Sequence, residues 1–253
     1  MKVIDCHTHL EDGEYYRKER NIELRSTLQD FSRLCKEMPS LQFVLTAGEN
    51  VEDRNTENNY LVSHIVQGNP DVFVGYMPRI NPNDLRELDD VKSMPHRGIV
   101  GLKVSSSLSK VPINDLKMHP IVKYGIEADL PIFFHCGRWL EMSSCTLLGE
   151  LAGKYPDAKL IMGHMGGASL EITWEGIRVA KKHRNIWMDT SSCFFEGIAK
   201  KAVEEVGVDR ILFGSDYPYY GPITSYYYLK NELGEAVLSK VLENPYRLFK
   251  TGG

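Results

Sequence analysis

The sequence predicts a single (β/α)8 barrel, and three observations predict it. Short apolar runs alternate eight times with stretches of helical periodicity. The runs are near-continuous in apolar residues, as strands of a parallel sheet covered on both faces are. At 253 residues the chain has the length that one such barrel takes, typically about 250 residues. The competing architecture, an open doubly wound sheet, is disfavoured because neither GxGxxG nor GxxxxGK[ST] follows any run.

Taken in order, the predicted strands are residues 3–6, 43–46, 72–76, 99–104, 131–135, 159–163, 186–189 and 210–214, each bounded by Gly, Pro, Asn, Asp or Ser. Helical periodicity covers residues 24–38, 57–67, 114–128, 169–182 and 196–206, and Pro70, Pro156 and Gly207 stand where helices should stop. No Ser/Gly-rich or Pro-rich linker divides the chain, so residues 1–253 are expected to form one domain.

Composition removes several functions. With 30 Lys+Arg against 34 Asp+Glu the net charge is −4, and no basic block marks a nucleic-acid surface. No apolar run approaches the ~18 residues of a membrane span, and Asp5 interrupts the N-terminus before a signal-peptide core forms. Five cysteines without a CxxC pair suggest thiols in a reducing compartment, so a cytoplasmic protein with a small-molecule substrate is expected.

Catalytic groups of such barrels sit at the C-terminal ends of strands. There the first strand delivers His7 and His9, which a period of two points the same way. The fifth delivers His135, the sixth His164, and the eighth Asp216. Singly, each has a plain reading: a core histidine, or for Asp216 a helix N-cap. Together they form an N/O donor set suited to Zn2+, and also to Mn2+ or Fe2+. His64, His96, His119 and His183 lie in helical or loop stretches and are read as surface residues.

The pattern resembles the amidohydrolase superfamily, in particular the amidohydrolase-related branch that includes aminocarboxymuconate-semialdehyde decarboxylase. The resemblance rests on IDCHTH at the start, FFHCG after the fifth strand, GHMGG after the sixth, GSDYP at the eighth, Arg79-Ile80-Asn81-Pro82 after the third, and NPYRLF near the C-terminus. It implies a mononuclear site with His7, His9 and His135 as metal ligands. Asp216 would be a further ligand or the acceptor of the proton of a metal-bound water, and His164 the catalytic imidazole. The branch's members often dimerise, so a homodimer is compatible with it.

Around that set, Lys103 on the fourth strand is expected to contact substrate or solvent. Carbamylation, as in binuclear members of the wider superfamily, ranks lower. A TatD-like nuclease is discounted because GLKVSSS supplies no acidic ligand. Arg138, three residues after His135, and Arg79 are candidate clamps for an anionic substrate, each with a surface salt bridge as the equal alternative. Tyr217, Tyr219 and Tyr220 would wall a pocket or, equally, cover the barrel rim. Asp5 would support His7 from behind, and Cys6 would face the helices. Cys136 and Cys193 lie near strand exits but no base is assigned to either. The leading expectation is hydrolysis of a small amide, ester or lactone by a metal-activated water. The alternative is nonoxidative decarboxylation of a small aromatic or unsaturated acid at the same site.

Overall fold

The computed structural model describes residues 2–11, 24–48, 55–95, 97–167 and 169–251. All eight runs form parallel strands: β1 Val3–Leu10, β2 Leu41–Ala47, β3 Phe73–Tyr76, β4 Leu102–Val104, β5 Ile132–Phe134, β6 Leu160–Met162, β7 Ile186–Asp189 and β8 Ile211–Leu212. They pair as β1-β2-β3 and as β4-β5-β6-β7-β8. Backbone hydrogen bonds cross both seams between these sheets. Val100 N donates to Tyr76 O and Lys103 N to Pro78 O on one side; Cys6 N donates to Phe213 O and His9 N to Tyr217 O on the other. The result is the barrel that the alternation predicts.

The interior confirms the ring. Ile4, Val44, Met77, Val100, Phe133, Ile161 and Leu212 form one buried cluster, with Val74 and Trp187 packed against it. Only the inside of a closed ring brings residues of all eight strand regions together. Leu248 and Phe249 join this cluster, and nearby the Tyr246 hydroxyl donates to the Lys2 carbonyl at the start of β1.

Cys6 also belongs to the interior cluster, not to the helix-facing layer expected for it. The cause is a β-bulge. Asp5 lies opposite Phe43 but Thr8 opposite Leu45, so three steps along β1 match two along β2. The extra residue breaks the strict alternation. Cys6 and His7 then both avoid the outer face, which Val3 shares with Leu41, Phe43 and Leu45.

The helices of the outer layer are α1 Leu28–Glu37, α2 Asn55–Gly68, α3 Arg86–Ser93, α4 Ser106–Ser109, α5 His119–Glu127, α6 Leu140–Ser143, α7 Cys145–Lys154, α8 Leu170–Lys182, α9 Ile198–Val206 and α10 Pro222–Phe249. Thr27 and Asp30 form a capping box at α1, which buries Phe31 and Leu34 against the sheet; such a cap contributes about 1 kcal/mol. The helix expected over 114–128 starts later. Asp115 caps a short turn over Leu116–Met118, and α5 follows with Pro120 in its first turn, where no N–H is required. Gly234, at φ 72, breaks α10 into two segments.

Candidate active site

The loops at the C-terminal ends of the strands bring the five expected residues together. The Nε2 atoms of His7 and His9 are 3.2 Å apart. Asp216 Oδ1 lies 3.2 Å from the first and 3.1 Å from the second. His135 follows β5 directly, and its Nδ1 is 3.1 Å from His164 Nε2. One donor atom each from His7, His164 and Asp216 fall within 4.8 Å of one another. His164 therefore lies near enough to His7 and Asp216 to share an ion with them, although the resemblance gives it a role apart from the ligands.

Local backbone explains the convergence. His164 and Met165 occupy the left-handed region at φ 56 and φ 50, inside a tight turn over Gly163–Gly166. Such residues cost about 1–2 kcal/mol each and persist where the surroundings hold them. The glycines do that holding. A Cβ on Gly163 would lie 2.9 Å from Phe134 O, and one on Gly137 (φ 90) would collide with the Gly167 backbone. The turn after β6 thus packs backbone to backbone on the loop after β5, which places His164 against His135. Asp216 is also left-handed, at φ 67, and its N–H donates to His7 O.

Two residues that sequence reasoning missed orient the imidazoles. The Asp189 carboxylate at the end of β7 accepts from His7 Nδ1 at 2.9 Å and from His164 N at 3.1 Å. Ser191 donates to the same carboxylate and lies 2.9 Å from His164 Nδ1. With Nδ1–H of His7 directed at Asp189, its Nε2 lone pair faces His9 and Asp216. The signal was present in the sequence: Asp189 stands at a strand exit as Asp216 does, in IWMDTSS. Gly214 keeps the space open, since a Cβ there would collide with Asp189 Oδ1. Asp5 accepts from His7 N at 3.2 Å and from Ser215 N at 2.9 Å, tying β1 to β8 behind the site.

Burial sets the protonation states. It holds His7, His9 and His164 well below the usual imidazole range, and the neighbouring Lys103 pushes each the same way. His135 is lowered to about 3 by burial, then by Lys103, Arg138 and Arg79. Burial raises Asp189 and lifts Asp5 to about 7. Neutral imidazoles with converging lone pairs beside a carboxylate are the donor chemistry a divalent ion takes, so the residues fit a metal. Burial lifts the Cys145 and Cys193 thiols to about 11, and Cys136 further, which keeps them protonated near neutral pH.

Cationic side chains surround the histidines. Lys103 is buried, with Nζ 2.9 Å from His7 Nε2 and 3.7 Å from the centre of the Phe133 ring. It points into the site, not to solvent. Arg79 is buried and donates from Nη2 to Ala47 O at 3.0 Å. Arg138 is half-buried at the rim, 5.2 Å from the Trp139 ring.

Tyr217 lies elsewhere than expected. Its backbone continues the pairing with β1, and its ring packs on Phe31 of α1, 5.2 Å between centres, with the phenol beside Arg33 and Asp30. Asp216 turns inward from its left-handed backbone, whereas Tyr217, bridged to Thr8, turns its ring outward. Tyr219 approaches the site instead, its ring 6.0 Å from that of His9. His64 is exposed, His119 and His183 lie in the outer layer, and His96 falls outside the described residues.

The family model described as Amidohydrolase matches residues 4–251. A gamma-resorcylate decarboxylase from Polaromonas sp. (strain JS666 / ATCC BAA-500) is 30% identical over 101 residues, a match that spans 33% of this chain and only 31% of that protein's length. The crystal structure of 5-carboxyvanillate decarboxylase LigW from Sphingomonas paucimobilis superposes with a TM-score of 0.77 at 16% identity, over 99% of each chain. A dihydroxybenzoic acid decarboxylase from Polaromonas sp. JS666, with bound manganese and the inhibitor 2-nitroresorcinol, gives 0.75 at 20% identity over 98% of this chain and 97% of that one. Barrel, strand-exit residues and family match coincide over nearly the whole sequence: this chain belongs to the amidohydrolase family.

Proposed function

We propose that this protein is a metal-dependent carboxy-lyase that removes CO2 from a small hydroxylated aromatic acid without oxidation. The observation that carries this is the charge around the site: buried Lys103, with Arg138 at the rim, stands beside a cluster of neutral histidines. A neutral amide, ester or lactone needs no such cations, whereas a carboxylate substrate does. The decarboxylases among its relatives support the same reading over the hydrolase expectation.

His7, His9, His135 and Asp216 would hold the ion, zinc by their donor chemistry or manganese as in the dihydroxybenzoic acid decarboxylase. When bound, the ion supplies a Lewis-acid anchor for substrate oxygens. Lys103 and Arg138 offset the substrate's negative charge. His164 donates its Nδ1–H to Ser191 Oγ, and its Nε2 takes a proton from solvent and passes it to the ring carbon. The C–C bond to the carboxylate breaks, its electron pair stays on the ring carbon, and a proton takes the place of CO2.

The test is CO2 release by metal-supplied protein from 2,6-dihydroxybenzoate and related hydroxybenzoates, run beside a panel of small esters and lactones. CO2 from at least one acid is the expected result. Hydrolysis of the esters or lactones with no CO2 from any acid would return the site to the hydrolase reading.

A further inference from the structure

One side of the site carries polar groups that the chemistry above does not use. Arg79 is only 4% exposed, yet its Nε and Nη1 have no hydrogen-bond partner among the described residues. Thr46 Oγ1, at the end of β2, and Ser105 Oγ, just past β4, are likewise buried without a partner. Buried donors left unpaired destabilise a fold, so a set of them in one place marks a ligand's position.

The pairing register shows that the three share a face. Thr46 lies opposite His9 in the β1–β2 ladder, and paired residues of parallel strands point the same way. Arg79 is bridged to Lys103, whose side chain reaches His7. Ser105 follows Lys103 by two residues and so repeats its direction. Among the described residues the guanidinium of Arg79 hydrogen-bonds to Ala47 O, next to Thr46, which draws the group across the end of β2. The charge of Arg79 also bears on His7, His9 and His135, which places it beside the histidines.

We propose that Arg79, Thr46 and Ser105 form a second anion subsite at the β2–β4 side of the mouth, which holds a carboxylate that the reaction leaves in place, so that the substrate is a dicarboxylic acid. The subsite rests on the carboxy-lyase reading only for the fate of the other carboxylate. Three donors, one of them cationic, suit a carboxylate with its several lone pairs better than a lone hydroxyl.

Calorimetric binding of benzoate and of benzene-1,3-dicarboxylate to the full metal-supplied chain tests this. The dicarboxylate is expected to bind about tenfold tighter or more, the gain of charge-assisted hydrogen bonds. Arg79→Met should remove that preference and leave benzoate within about twofold. Thr46→Val and Ser105→Ala, which are milder to the fold, should each reduce the preference several-fold. Equal binding of the two acids, or a preference unchanged in all three variants, overturns the proposal. CO2 release from 2-hydroxybenzoate and 4-hydroxybenzene-1,3-dicarboxylate is measured in parallel. CO2 release without a dicarboxylate preference sinks the subsite and leaves the carboxy-lyase standing. An Arg79-dependent preference without CO2 from either acid does the reverse.

Discussion

At the scale of single residues, the division of labour among the histidines has a direct measurement. His135→Ala is expected to lose bound metal, and His164→Ala to retain it while turnover falls by a factor on the order of 100 or more. Metal content after gel filtration reads both. If His164→Ala loses metal equally, His164 is itself a ligand, in the group it forms with His7 and Asp216. Asp189→Asn should weaken metal binding about 10–100-fold, because an amide no longer fixes the Nδ1–H tautomer of His7. The five strand-exit residues were legible because chemistry-bearing side chains ended apolar runs. Asp189 had the same signal, but no motif pointed to it. Tyr217 and Tyr219 could not be told apart, because that choice depends on how the chain after β8 pairs with β1.

At the scale of elements, glycines set the approach of the functional turns. A Cβ on Gly176 of α8 would collide with Met165 O in the turn that carries His164. Gly176→Ala is therefore expected to destabilise by about 1–3 kcal/mol and to lower Tm by roughly 2–12 °C. Turnover should fall more than in Leu34→Ala, which opens a cavity under α1 without touching the site; parallel thermal melts and rates give the comparison. Helix ends were readable, since α2, α7 and α9 stop beside Pro70, Pro156 and Gly207. The shortness of β4 to β8 was not. Apart from β7, which keeps the bounds of its run, apolar runs of five or six residues there yield strands of two or three, because flanking apolar residues also fill the interior and the loops. Nor was the bulge in β1 visible, since it exists only in the pairing with β2.

For the whole molecule, burial of so many titratable groups in one place predicts acid sensitivity. His7, His9, His135 and His164 bind protons more weakly when folded than at the ordinary 6.5, so the unfolded chain takes up more protons as pH falls below about 6.5. Asp5 and Asp189 act oppositely. Their folded values are raised, which favours the folded state as pH falls toward 4. Four imidazoles outweigh two carboxyls, so chelator-treated protein should lose stability between pH 6.5 and 4, and denaturant melts across that window check the sign. Among the described residues no helix is long and apolar enough to cross a membrane. The net charge of −4 repels an anionic substrate at long range, and the cations that offset it are concentrated at the mouth. The barrel's floor has a further consequence. Leu248 and Phe249 seal the interior beneath the strands, and Tyr246 fastens them to Lys2. Among the described residues the interior beneath the site is filled, so under the proposed carboxy-lyase reading a spent organic product leaves by the path its successor enters. Each product molecule still seated blocks the next substrate, and inhibition by product should be competitive and overcome by raising the acid's concentration.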